Sequence, residues 1–373
     1  MEWLERLLNL IFVASQASMP AWQPLSLYSV KPWQHACKSK QPFARHGFTY
    51  KQVMSETLKN LETLVLACPV RQLRCLVKLD RPLLMQEQAH ASLTTSLTGA
   101  FKTGLKKTCC ERQQRGGCAC SVSVNSQLQC SHPESCFAPW LYNPQHGTSL
   151  LPSVLLYAPA PPPDSEKLWV TLTLRGEIAH HQQNRVLMAL EASGNPGIKY
   201  NSVNVGFRLM EVHSGEALNA QVWAQVLRAF PRNSLRIEFL TPFQPSHASA
   251  SESVNIGTLT RWIVDASYNS ARFSLADREV PGDHHPLALA MKETVAQTLQ
   301  DSVRLLASQV HECQQGERRS KSNGGTYTLL GWEGHLDLSV RDIVLPWIAN
   351  FALFGGSRHA QGRSRMRLWA TID

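Results

Sequence analysis

The sequence predicts an α+β protein built from two successive units, and three observations carry that prediction. Short stretches in which apolar and polar residues alternate recur along the chain, and several are followed by segments with apolar residues three and four apart. Pro159 to Pro163 before Asp164 reads as a semi-rigid linker between units. The chain has 373 residues, 43% of them hydrophobic, enough to bury a substantial core in two domains.

Residues 1–70 read as an N-terminal extension. Trp22, Pro24, Trp33, Pro42 and Phe48 suggest an irregular segment pinned by aromatic rings, and Tyr50 to Leu66 carries Val53, Leu58, Leu61 and Val65 at amphipathic helical spacing. Met1 to Ala17 is not read as a secretion signal, because Glu2 and Glu5 sit where positive charge is expected and Asn9 interrupts the apolar run. No stretch reaches the apolar length of a membrane-spanning helix. A cytoplasmic protein is expected.

The first domain is expected over 71–158. Leu73 to Leu79 alternates as a strand, and Gln88 to Lys107 places Leu93, Leu97, Ala100, Phe101 and Leu105 on one helical face, with Lys102, Lys106 and Lys107 toward its end. An insertion over 109–136 then holds six of the chain's ten cysteines. Cys118, Cys120, Cys130 and Cys136 could close a tetrahedral zinc site, although no Cys-x-x-Cys pair pre-sets two ligands; buried thiols are the alternative.

The second domain is expected over 164–373. Leu168 to Leu174 reads as a strand, Gln183 to Ala192 as a helix, Lys199 to Val212 as alternating residues of a hairpin, and Leu235 to Pro242 as another strand. A helical insertion is expected over 255–315, in two pieces: Ile256 to Tyr268, and Leu287 to Cys313 with Val295, Leu299, Val303, Leu306 and Val310 at core-like spacing. Gly316 to Gly325 is a basic, flexible run. Thr326 to Leu338 then reads as a strand, Ile343 to Phe354 as a helix, and 355–362 as a glycine-rich loop.

Lys plus Arg exceed Asp plus Glu by 37 − 28 = 9, which favours an anionic partner such as nucleic acid. The C-terminal loop suits phosphate for a local reason. Glycine lets backbone N–H groups approach an anion, and Arg358, Arg363, Arg365 and Arg367 bring forked, permanently charged donors.

The order of these parts resembles a known family. A strand with Gly331-x-x-Gly334-x-Leu336, a helix opening at Leu345-Pro346-Trp347, and a loop of the form Gly356-x5-Gly362-x-x-Arg365 are similar to the C-terminal end of the CRISPR repeat-processing endoribonucleases, the Cas-six type of the RAMP superfamily. Leu97-Thr98-Gly99-Ala100-Phe101 resembles the first helix of RAMP proteins, and the Thr241-Pro242 strand ending is similar to another recurrent element. Phe354 and Ser364 depart from the pattern, standing where further glycines are usual.

The resemblance implies two ferredoxin-like (RAMP/RRM-like) domains in tandem. It also implies metal-independent cleavage of CRISPR repeat RNA by its own 2′-hydroxyl, leaving a cyclic phosphate, with repeat or guide RNA and other CRISPR effector subunits as partners and no membrane. Such a reaction needs a base, an acid and positive charge at the phosphorus. His90 occupies the family's place for a catalytic histidine, between first strand and first helix, with Lys102 further along and His359 inside the glycine loop. The RNA contacts implied are Arg318, Arg319, Lys321, Gly355, Gly356, Arg358, Gly362, Arg363 and Arg365. His335 faces either core or RNA on this reading; His180 and His181 are expected at the surface. A RAMP subunit that holds guide RNA without cutting it is the alternative.

Overall fold

The computed structural model describes residues 50–83, 90–108, 154–159, 161–162, 164–200, 203–231, 234–243, 254–274, 286–319, 326–355 and 366–371. The chain divides into two compact units, Met1–Lys59 and Asn60–Asp373. Helix α1, Tyr50–Ala67, crosses that division, and every other element described belongs to the larger unit.

The first sheet is built from β1 (Val70–Leu79), β2 (Val154–Tyr157), β3 (Lys167–Arg175) and β6 (Phe207–Leu218). Between these strands run α2 (His90–Thr108), α3 (Gly176–His181), α4 (Gln183–Ser193) and a small hairpin of β4 (Ile198–Tyr200) and β5 (Val203–Val205). The strand order is β2-β3-β1-β6, all antiparallel. Leaving out α3 and the hairpin, this is β-α-β-β-α-β with order 2-3-1-4, the ferredoxin-like arrangement.

Alternation decides which side of this sheet is covered. Leu73, Cys75, Val77 and Leu79 of β1 and Leu168, Val170, Leu172 and Leu174 of β3 share one core with Leu93, Leu97, Phe101 and Leu105 of α2 and Val186, Ala189 and Leu190 of α4. The Thr94 hydroxyl donates to the Ala158 carbonyl at 3.4 Å and accepts the Ala158 N–H at 3.3 Å, tying α2 to the chain beyond β2. The alternate residues of β1 and β3 face away from the helices.

Helix α5 (Ala220–Ala229) leads into a second unit of the same kind, its N-terminus capped by Asn219, whose side chain accepts the Val222 N–H at 2.9 Å. Strand β7 (Ser234–Phe243) is followed by α6 (Ile256–Ser274), α7 (Pro286–Gln300), β8 (Val303–Arg319), β9 (Thr326–Val340), a 3-10 turn over Asp342–Val344, α8 (Leu345–Phe354) and β10 (Met366–Thr371). The order β10-β7-β9-β8 again reads 4-1-3-2. Its core is aromatic: Phe243 lies 4.7 Å from Trp262 and 5.6 Å from Phe351, ring centre to ring centre, with Phe239 and Trp332 beside them. Two ferredoxin-like units in tandem are therefore present, as the sequence led us to expect.

Two expectations about their limits are corrected. The prolines at 159–163 do not divide the units, because β3 pairs with β1 from Val70↔Arg175 to Lys78↔Lys167. The first sheet runs on to Leu218, and the second begins at Ser234. Nor is 255–315 an all-helical insertion: α6 and α7 take the place of the unit's first helix, and Val303, Leu306 and Val310 belong to β8, hydrogen-bonded to β9. Leu306 is 57% exposed there rather than in a helical core. Among the described residues no helix is long and apolar enough to cross a membrane.

Candidate nucleic-acid interface

The C-terminal motif occupies three consecutive places in the second unit. Gly334 sits in β9 opposite Phe239 and Val310 with φ +115°, a conformation side chains rarely adopt, and a Cβ there would run into the Gln309 carbonyl. Pro346 stands in the first turn of α8, where its missing N–H costs no helical bond. From Leu345 to Phe354 the helix is buried on every face except at Pro346.

Gly355 ends α8, but its role differs from the one implied. Its N–H donates to the Phe351 carbonyl at 2.7 Å, and a Cβ would crowd that same carbonyl at 2.6 Å and the Met366 side chain. It is a close-packing glycine whose donor is already occupied, not an open phosphate contact. Phe354, where the family pattern has glycine, is fully buried, and its ring lies 5.6 Å from the guanidinium carbon of Arg175 at the end of β3. Arg175 is 3% exposed, and burial pushes its guanidinium down to about 9.

His90 opens α2 and Lys102 lies twelve residues along it. At 1.5 Å per residue their backbones stand roughly 18 Å apart, too far for both to reach one phosphate. Arg318 and Arg319 end β8, opposite Tyr327 and Thr326. Thr326 lies eight residues from Gly334 along β9, and Gly334 and Met366 both pair with Phe239. These arginines thus lie roughly 27 Å along the strand direction from the start of β10, so one phosphate cannot join them to Gly355. Lys321, Gly356, Arg358, His359, Gly362, Arg363 and Arg365, and Cys118, Cys120, Cys130 and Cys136, lie outside the described residues. Among the described residues no group of three or more His, Cys, Asp or Glu side chains could hold a metal ion.

His335 faces away from the core that Leu336 and Leu338 enter. It is 22% exposed, with Nε2 3.8 Å from Asp337 Oδ2. Asp337 in turn accepts two bonds from Arg236, Nε at 2.6 Å and Nη2 at 2.8 Å, and this hydrogen-bonded cation holds its carboxyl below the usual carboxylate range. His180, expected at the surface, has a buried Nε2 without a partner; burial first, then the Arg71 charge, push it down to about 4, against a backbone hydrogen bond with Leu174. His181 is exposed beside Glu177 at 3.9 Å.

Sequence reasoning passed over the side of the first sheet that faces away from α2 and α4. The register sets Lys78 opposite Lys167 on one side and Arg208 on the other, Leu76 between Trp169 and Glu211, and Arg74 between Thr171 and His213. The Arg74 guanidinium carbon lies 5.0 Å from the centre of the Trp169 ring, whose centre is 5.7 Å from that of His213. The alternation in Lys167-Leu168-Trp169 and Arg74-Cys75-Leu76-Val77-Lys78 was visible. What put these residues side by side was the pairing of distant strands.

These features define a tandem ferredoxin-like protein that presents a cationic, aromatic-bearing sheet face and an arginine-ended hairpin. No protein-family model matches the chain, and no curated protein does. Among solved structures it is similar to Cas6 of Thermus thermophilus, at 10% identity over 81% of this chain and 99% of that one, with a TM-score of 0.42. A Cas6 product complex is similar at 14% identity over 82% and 100% of the two chains, with a TM-score of 0.44. A protein described as Cas6-related, from Pyrococcus furiosus, is similar at 9% identity over 80% and 98%, with a TM-score of 0.40. The fold assignment rests on this chain's own strand order and register.

Proposed function

We propose that this chain binds CRISPR repeat RNA and cuts it to guide RNA without a metal, the repeat's 2′-hydroxyl attacking the adjacent phosphorus and expelling the 5′-oxygen. The observation that carries the reading is the position of the C-terminal motif. Its strand, helix and glycine end are successive elements of a complete second ferredoxin-like unit, beside an intact first one. The net charge of +9 favours the same partner.

In the reaction a base takes the 2′-hydroxyl proton, an acid gives a proton to the departing 5′-oxygen, and a cation balances the charge on the five-coordinate phosphorus. On this reading His90, at the start of α2, holds one of the two protons. The cation comes from the arginine-bearing C-terminal segment, since Lys102 is three turns away along the helix.

That separation also favours a second reading, a RAMP subunit that holds guide RNA uncut. Purified protein incubated with repeat RNA in EDTA distinguishes the two. Cleavage leaving a cyclic phosphate supports the nuclease, with His90→Ala slowing single-turnover cleavage about 10²- to 10⁴-fold at nearly unchanged affinity. Tight binding with no cut in EDTA or magnesium leaves the binding subunit, and no binding at all removes both.

A further inference from the structure

We infer that the face of the first sheet turned away from α2 and α4 is a second RNA-binding surface, on which Trp169 stacks an unpaired base and the row Lys167, Lys78, Arg208 holds the adjoining phosphates. The inference rests on the proposed reading of the chain as an RNA-binding protein and adds residues of the first sheet to that reading.

The cation row is the first argument. Lys78 is directly opposite Lys167 on β3 and Arg208 on β6, so three like charges stand side by side on neighbouring strands about 4.8 Å apart. Like charges directly opposite each other oppose sheet formation. All three side chains are exposed, and the nearby carboxylate Glu166 meets Lys78 only at 3.8 Å, itself half in water. Folding alone gives no reason for such a row, whereas a polyanion crossing the strands does.

The next two rows supply the second argument. Trp169 is 36% exposed with its side chain on the same face, one row from the lysines. The Arg74 guanidinium lies over the Trp169 ring, 5.0 Å from its centre, the His213 ring is tilted against it at 5.7 Å, and Glu211 Oε2 lies 3.3 Å from His213 Nε2. An indole already stacked with a guanidinium and packed on an imidazole forms a planar cationic cluster on which a base can stack. Gln72 is exposed on the same face, while Thr171 and Leu76 lie beneath their neighbours at 9% and 8% exposure. The face carries four cations, Arg74, Lys78, Lys167 and Arg208, against Glu211 and the flanking Glu166, so its charge suits RNA and not a basic or apolar protein surface.

The test uses the full chain and an oligouridine carrying 4-thiouridine, cross-linked by long-wave ultraviolet light and mapped by mass spectrometry, with affinities measured across salt concentrations. We expect an adduct on the β3 peptide containing Trp169. Trp169→Ala should weaken oligouridine binding about 5- to 100-fold, and Trp169→Phe should keep most of it. Lys78→Gln should lower the salt slope by about one phosphate contact. Should wild-type protein bind and cross-link RNA only elsewhere, with Trp169→Ala folded and binding as well as wild type, this surface is not an RNA site while the proposed function stands. If neither oligouridine nor repeat RNA binds, that reading fails with it; cross-links from this face to an acidic protein in place of RNA would overturn the inference in favour of a protein partner.

Discussion

At the scale of single residues, context decided roles that residue type and spacing left open. His335 was legible as a strand histidine but not its side of the sheet, because alternation gives parity and only the pairing of Leu336 and Leu338 with the core fixes which parity is inside. His180 had no sequence signal for burial. Its Nε2 is buried, close to Leu174 at the end of β3 and to the Arg71 side chain, which donates to Gln183 Oε1 at 3.2 Å. Its pKa is depressed to about 4 in the folded chain against about 6.5 when unfolded. The unfolded state therefore takes up the proton first, and the stability His180 contributes above pH 6.5 is lost as pH falls from about 6.5 toward 4. Melting curves across that interval should show a decline that His180→Gln flattens; an unchanged decline would mean that the ring is hydrated and titrates normally.

At the scale of elements, most of the chain's strands and helices were legible from periodicity, and the misreadings have physical causes. Val303, Leu306 and Val310 are three and four apart, which mimics a helix, but the bulge between Leu305 and Ala307 in β8 shifts the strand's parity and leaves Leu306 outside. The Pro-rich run resembled a domain linker because proline cannot donate to a ladder, yet here it only joins two strands of one sheet. Gly355 shows the same limit within a motif, where a glycine suited to phosphate serves to let α8 end against Met366. Gly355→Ala should lower stability by about 1–3 kcal/mol through crowding of Phe351 and Met366. Thermal unfolding checks this, with RNA affinity measured well below the transition: a stable variant with weakened RNA binding would restore the phosphate role to this glycine.

At the scale of the whole molecule, two complete ferredoxin-like units give one chain two four-stranded sheets, and on the proposed reading each offers a surface to one RNA. The sequence suggested the C-terminal site of that reading through glycines and arginines that are neighbours in the chain. It did not announce the other, since Lys78, Lys167 and Arg208 become neighbours only when β1 pairs with β3 and β6. The two surfaces belong to different sheets, so contacts on them should contribute independently to the binding of an RNA long enough to reach both. Arg319, at the end of β8, belongs to the second unit's sheet. Lys78→Gln and Arg319→Gln should each flatten the dependence of repeat-RNA affinity on salt by about one contact, and the double variant by about two, with the losses in binding free energy adding. For oligouridine too short to span both sheets, only one of the two substitutions should matter. Titrations of both RNAs at several salt concentrations decide it. A double variant no weaker than either single one would mean that the repeat never engages both units at once, and that the tandem arrangement serves some purpose other than holding one continuous strand.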